Sequence, residues 1–112
     1  MFYNGGTMEK QKIAHNVFFT LKDSSDEAAD TLIEECHTYL KDNPGILYFS
    51  AGSLVKEHNR DVNVRDFHVG LHVVFENKSY HDKYQDAEKH ITFIERNKDN
   101  WVQARVFDTY VS

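Results

Sequence analysis

The stretch Phe67-His68-Val69-Gly70-Leu71-His72-Val73-Val74-Phe75-Glu76 decides the fold. Phe67, Val69, Leu71, Val73 and Phe75 alternate strictly with His68, Gly70, His72, Val74 and Glu76. A period of two puts the first set on one face and the second on the other, the pattern of a strand resting on a core. The same period runs from Lys12 to Leu21, where Ile13, His15, Val17, Phe19 and Leu21 share a face. Lys12, Ala14, Asn16 and Thr20 lie opposite, joined by the one bulky exception, Phe18.

Between and around these strands the period changes. Ser24 with Glu27 reads as a capping box, and Ala28, Ala29, Leu32, Ile33, Cys36, Tyr39 and Leu40 then recur at helical spacing up to Asn43-Pro44-Gly45. Ile46 to Val55 reads as a strand and Lys56 to Asp66 as an exposed loop. A helical region over Lys78 to Asn97 and a closing strand over Trp101 to Val111 complete the order βαββαβ. That order predicts an α+β, ferredoxin-like unit, a four-stranded antiparallel sheet with both helices on one face. Bulky groups on the other face call for a cover. Two sheets facing each other across a two-fold axis, a homodimeric α+β barrel, would supply it.

Composition narrows the function. The 112 residues fit one domain, with 40% hydrophobic and 13% aromatic residues. Residues 1–10, with Asn4-Gly5-Gly6-Thr7, offer little to pack and are expected to be a flexible segment before the domain at 11–112. A net charge of −5 gives no reason to bind nucleic acid. No stretch reads as a secretory signal or approaches a membrane span, so a cytoplasmic protein is expected. The single Cys36 falls on the apolar stripe of the first helix and reads as a buried, reduced thiol.

Chemistry concentrates in Tyr84, His90 and Trp101. Imidazole titrates near neutrality and a phenol donates or accepts a hydrogen bond, so together they could transfer a proton beside an apolar wall. On an unbroken helix, however, six residues turn the chain by about 120°, and Tyr84 and His90 would diverge. Tyr80, Tyr84, Ala87, Ile91 and Ile94 form a stripe that suits one continuous helix, with Tyr84 in the core and His90 at its edge. Convergence would require a break between Gln85 and Glu88. His15, on the apolar face of its strand, needs a buried partner. His68 and His72 are four strand residues apart, roughly 13 Å, too far to share a metal ion. Neither a metal nor a cofactor is called for, and His37, His58 and His81 are expected in solvent.

Ala14-His15-Asn16-Val17-Phe18-Phe19, Asp66-Phe67-His68-Val69-Gly70-Leu71, Tyr84 with His90, and Val106-Phe107-Asp108 stand in an order and spacing that resembles the stress-responsive A/B barrel (Dabb) family. The resemblance covers essentially Ile13 to Val111. It implies a dimeric ferredoxin-like barrel, and most members have no assigned reaction. One plant member folds a linear polyketide inside the barrel. Its catalytic tyrosine and histidine fall on Tyr84 and His90, its first-strand histidine on His15, and its aromatic pocket wall on Phe93 and Trp101. A further histidine of that site falls on Val69, and the proline usual before the catalytic histidine falls on Glu88. The resemblance therefore gives His90 and Tyr84 as the candidate catalytic pair, and His15, Val17, Val69, Leu71, Phe93 and Trp101 as candidate ligand contacts.

Two classes of function follow. One is a homodimer without a reaction of its own, a structural module or a binder of a small apolar or aromatic ligand. The other is an acid–base enzyme on a ketide-like substrate, with His90 as general base and Tyr84 on the carbonyl oxygen. Oxygenases of the same superfold, some holding haem, are linked by fold alone.

Overall fold

Strand β1, Lys12–Leu21, alternates between buried and half-exposed residues along its whole length after Lys12. The computed structural model describes residues 11–112, and the expectation for residues 1–10 lies outside them. Strand β3, Val69–Phe75, pairs antiparallel with β1 so that Val17 faces Leu71 and His15 faces Val73. Strands β2, Ile46–Ser53, and β4, Trp101–Val111, flank this pair to give the order β2-β3-β1-β4, antiparallel throughout. The element order is the expected ferredoxin-like one. β3 begins two residues later than the alternation suggested, at Val69. His68 is held at its entrance, its N–H donating to Phe19 O at 2.8 Å and its Nδ1 accepting from the Leu21 N–H at 3.0 Å.

Helix α1, Asp26–Tyr39, starts one residue later than the Ser24 capping box implies. Ser25 is the cap. Its Oγ accepts from the Ala28 N–H, while Asp23 Oδ1 accepts from the Ser25 N–H and fixes the turn. The helix lays Ala29, Leu32 and Cys36 on the sheet. Beyond it Gly45 takes φ 82°, and a Cβ there would run into the Tyr80 ring, so this turn requires glycine.

The second helical region is not the continuous helix that the Tyr80 to Ile94 stripe suggested. Helix α2, Lys78–Asp86, ends at Ala87, whose φ −63° and ψ 139° are extended, and helix α3, Glu88–Asn97, restarts at once. The reason lies in Tyr84 and Phe93. Nine residues turn a continuous helix by about 180°, which would send one of these rings into water. With the break both are 2% exposed, whereas Ile91, from the stripe, is 47% exposed. Burying a large aromatic is worth roughly 1.5–3 kcal/mol, more than the net value of a hydrogen bond or two lost from the ladder. The loss is also partly made good, because the Ala87 N–H still bonds Tyr84 O and the Ile91 N–H bonds Ala87 O.

All three helices cover one face, where Phe19, Leu32, Cys36, Leu40, Phe75 and Tyr84 belong to one core cluster. Burial pushes the Cys36 thiol up to about 12, so it is an inert core residue. The other face carries Phe18, with its ring 4.9 Å from that of Phe67 and 5.8 Å from that of Phe107.

Candidate functional site

A cavity of about 160 Å³ lies between β1, β4 and the broken helix. His15, Val17 and Phe19 project into it because they are the inward positions of β1, and Ala104 and Val106 do so as their partners on β4. Tyr84 comes from the end of α2, and His90 and Phe93 from the first two turns of α3. The break brings Tyr84 and His90 together, with ring centroids 4.7 Å apart in an edge-to-face arrangement. Trp101 closes the far wall, 4.8 Å from Phe19 and 5.8 Å from Phe93.

The polar atoms of this wall decide its chemistry. Tyr84 Oη, His90 Nδ1 and Trp101 Nε1 are buried and have no hydrogen-bond partner among the described residues. Buried polar groups almost always have one. Burial pushes the Tyr84 phenol up, so it stays a neutral donor. Burial also lowers His90, the nearby His15 adding to this and the neighbouring Gln85 backbone opposing it without reaching hydrogen-bond geometry, so the imidazole is neutral at pH 7. A phenol, a neutral imidazole and an indole N–H on an apolar wall can hold a carbonyl or phenolic oxygen.

His15 is 3% exposed and has found its partner, Asp108, with Nδ1 and Oδ1 2.6 Å apart. Burial lowers His15 more than the hydrogen bond and charge of Asp108 raise it, so the contact is a neutral imidazole N–H donating to a carboxylate.

Of the residues expected at the site, His15, Val17, Leu71, Tyr84, His90, Phe93 and Trp101 line the cavity. Val69 does not, being fully buried in the core cluster further along β3. His72 lies on the opposite face, its Nδ1 2.7 Å from Asn16 Oδ1. His37 and His58 are exposed as expected. His81 is not. Its side chain is 17% exposed and its ring centroid lies 5.0 Å from that of His15. Sequence reasoning missed both His81 and the role of Asp108. The available signal was that His81 precedes Tyr84 by three residues and so shares its helix face.

The family signature of the stress responsive A/B barrel domain matches residues 13–111. The chain belongs to that family. No curated protein matches it in sequence. Among solved structures, this A/B barrel chain is similar to a Dabb family protein with a ferredoxin-like fold from Mesorhizobium loti. That pair is 20% identical over 91% of this chain and 98% of the other, with a TM-score of 0.75. It is also similar to a dimeric ferredoxin-like protein of unknown function from Thermobifida fusca, 10% identical over 98% and 100% of the two chains, TM-score 0.76. A hydroxynitrile lyase from Passiflora edulis is 14% identical over 92% of this A/B barrel chain and 95% of its own, TM-score 0.73. At these identities the likeness is one of fold.

Proposed function

We propose that this A/B barrel protein is a homodimer, each subunit of which binds one small, mainly apolar ligand carrying a hydrogen-bonding oxygen, of phenolic or ketide-like type. The observation that carries the reading is the set of three partnerless polar atoms, on Tyr84, His90 and Trp101, around a single apolar cavity. The volume fits it too, since about 150 Å³ accommodates one benzene-sized ring, and the cavity is about 160 Å³. Dimerisation is supported by the dimeric neighbour and by the apolar side chains on the sheet face away from the helices, where Phe107, 53% exposed, meets Phe18. No helix among the described residues is long and apolar enough to cross a membrane.

The test uses Trp101, the only tryptophan of the chain. Adding a phenolic or ketide-like probe should change its fluorescence saturably, with one probe bound per subunit. An unsaturable response across a panel of such probes would overturn the binding reading.

One observation favours a second reading, acid–base catalysis on such a ligand. The break at Ala87 is the one device that turns Tyr84 and His90 toward the same point, and both are neutral at pH 7, as a donor and a base must be. A neighbour of this fold is a hydroxynitrile lyase, so the scaffold hosts chemistry in at least one relative. Turnover of a bound ketide-like probe that is lost in His90→Ala would establish it.

A further inference from the structure

His15 from β1, His81 from α2 and Asp108 from β4 each offer a ligating atom, and the three atoms lie within 4.8 Å of one another. We propose that these residues form a binding site for one divalent transition-metal ion of the zinc class, separate from the ligand set of Tyr84, His90 and Trp101. Two imidazoles and one carboxylate are the donor set that zinc takes when three protein ligands leave a fourth position open. Magnesium and calcium prefer all-oxygen ligands and are not expected here.

Asp108 is the pivot. Its Oδ1 is 2.6 Å from His15 Nδ1 and its Oδ2 is 4.0 Å from His81 Nε2. Around a tetrahedral ion with bonds of about 2.0–2.2 Å, neighbouring ligand atoms stand about 3.3 Å apart. Asp108 would ligate through one oxygen, and the three ligand atoms, now within 4.8 Å of one another, would draw together through rotation of the side chains. The metal would take the place of the proton that His15 Nδ1 now shares with Asp108. Neutral imidazole is the ligating form, so binding would release that proton.

Two further features fit an ion. His81 Nδ1 lies 3.2 Å from Asp82 Oδ1, a carboxylate contact on the far ring nitrogen that fixes Nε2 as the ligating atom. A solvent-open cleft of about 310 Å³, lined by His81, Asp82, Asp108 and Tyr110 among others, reaches the cluster and gives an entry path and room for a bound water. Because the three ligands come from three elements, the ion would pin α2 to the sheet beside the candidate ligand cavity.

Calorimetric titration of metal-free protein with Zn²⁺ in a non-chelating buffer tests this, with Co²⁺ as the visible-spectrum reporter. One equivalent per chain with micromolar or tighter affinity is expected, with Mg²⁺ giving no heat. The Co²⁺ complex should show the intense visible bands of a four- or five-coordinate ion. His81→Ala and the near-isosteric Asp108→Asn should each weaken binding at least tenfold, and His58→Ala, at an exposed histidine elsewhere, should leave it unchanged. His81→Gln replaces His81→Ala if circular dichroism shows the latter unfolded. Absence of Zn²⁺ binding at 100-fold molar excess would overturn the proposal, as would equal affinity in the parent and in folded His81 and Asp108 variants. The probe-fluorescence test of ligand binding, read without metal, is independent of this result.

Discussion

Tyr84 and His90 stand six residues apart in sequence, yet their rings meet edge-to-face at 4.7 Å, because Ala87 between them is extended rather than helical. The family resemblance implies a proline where Glu88 stands. Here the same geometry is reached without it, by the need to bury both Tyr84 and Phe93.

Glu88→Pro should therefore be neutral or stabilising. Glu88 is the first residue of α3, the helical position proline favours, and Ala87 before it already has the extended backbone that a following proline demands. Restricting the unfolded chain at a compatible site is worth roughly 0.4–1 kcal/mol. Chemical denaturation should show an unchanged or higher midpoint. A loss of more than about 1 kcal/mol would show that the break does not have the geometry described.

The break also marks the limit of what could be read from the sequence. Strand β1 was legible to the residue, since an apolar alternation is local and needs no partner to be recognised, and the closing strand β4 has the bounds expected for it. The helix break was not. Its cause is the joint burial of Tyr84 and Phe93 against a sheet formed by distant residues, and the local stripe through Ala87 and Ile91 points the other way. His81 and Asp108 were missed for the same kind of reason. Asp108 meets His15 only through the β1–β4 register, across 93 residues of chain.

Phe107→Asp should convert the dimer to monomer. Phe107 is 53% exposed and stacks with Phe18 on the face away from the helices, so a charge there would be buried unpaired in the proposed interface. Sedimentation of the parent should give about twice 13.1 kDa at micromolar concentration. A parent that sediments as a monomer removes the barrel.

Stability should fall as the solution is acidified below about 6.5, the ordinary histidine value. His15, His72 and His90 are all held below that value, chiefly by burial, so the unfolded chain binds protons there that the folded chain refuses. With more protons on the unfolded state, stability rises with pH through this window and levels off above it. Thermal melts at pH 7.5 and 5.5 should show a lower Tm at the acid end. His90→Ala should flatten part of that slope, and a pH-independent Tm would mean that these imidazoles are solvated.

The pair at the head of the cavity gives the sharpest separation of binding from structure. Tyr84 Oη and His90 Nδ1 have no hydrogen-bond partner among the described residues, so removing either atom breaks no hydrogen bond. Tyr84→Phe takes a partnerless hydroxyl out of a buried site and should be neutral or slightly stabilising. His90→Ala should cost within about 1 kcal/mol, since residues kept for function are seldom those optimised for stability. Both should weaken a phenolic or ketide-like probe, Tyr84→Phe by about 5- to 13-fold, the worth of one hydrogen bond of 1–1.5 kcal/mol. A structural role predicts the reverse, a loss of roughly 1–3 kcal/mol on denaturation as a buried partner is orphaned, with probe affinity unmoved. Trp101 fluorescence for binding and urea denaturation for stability, run on the same three proteins, place each side chain on one side or the other.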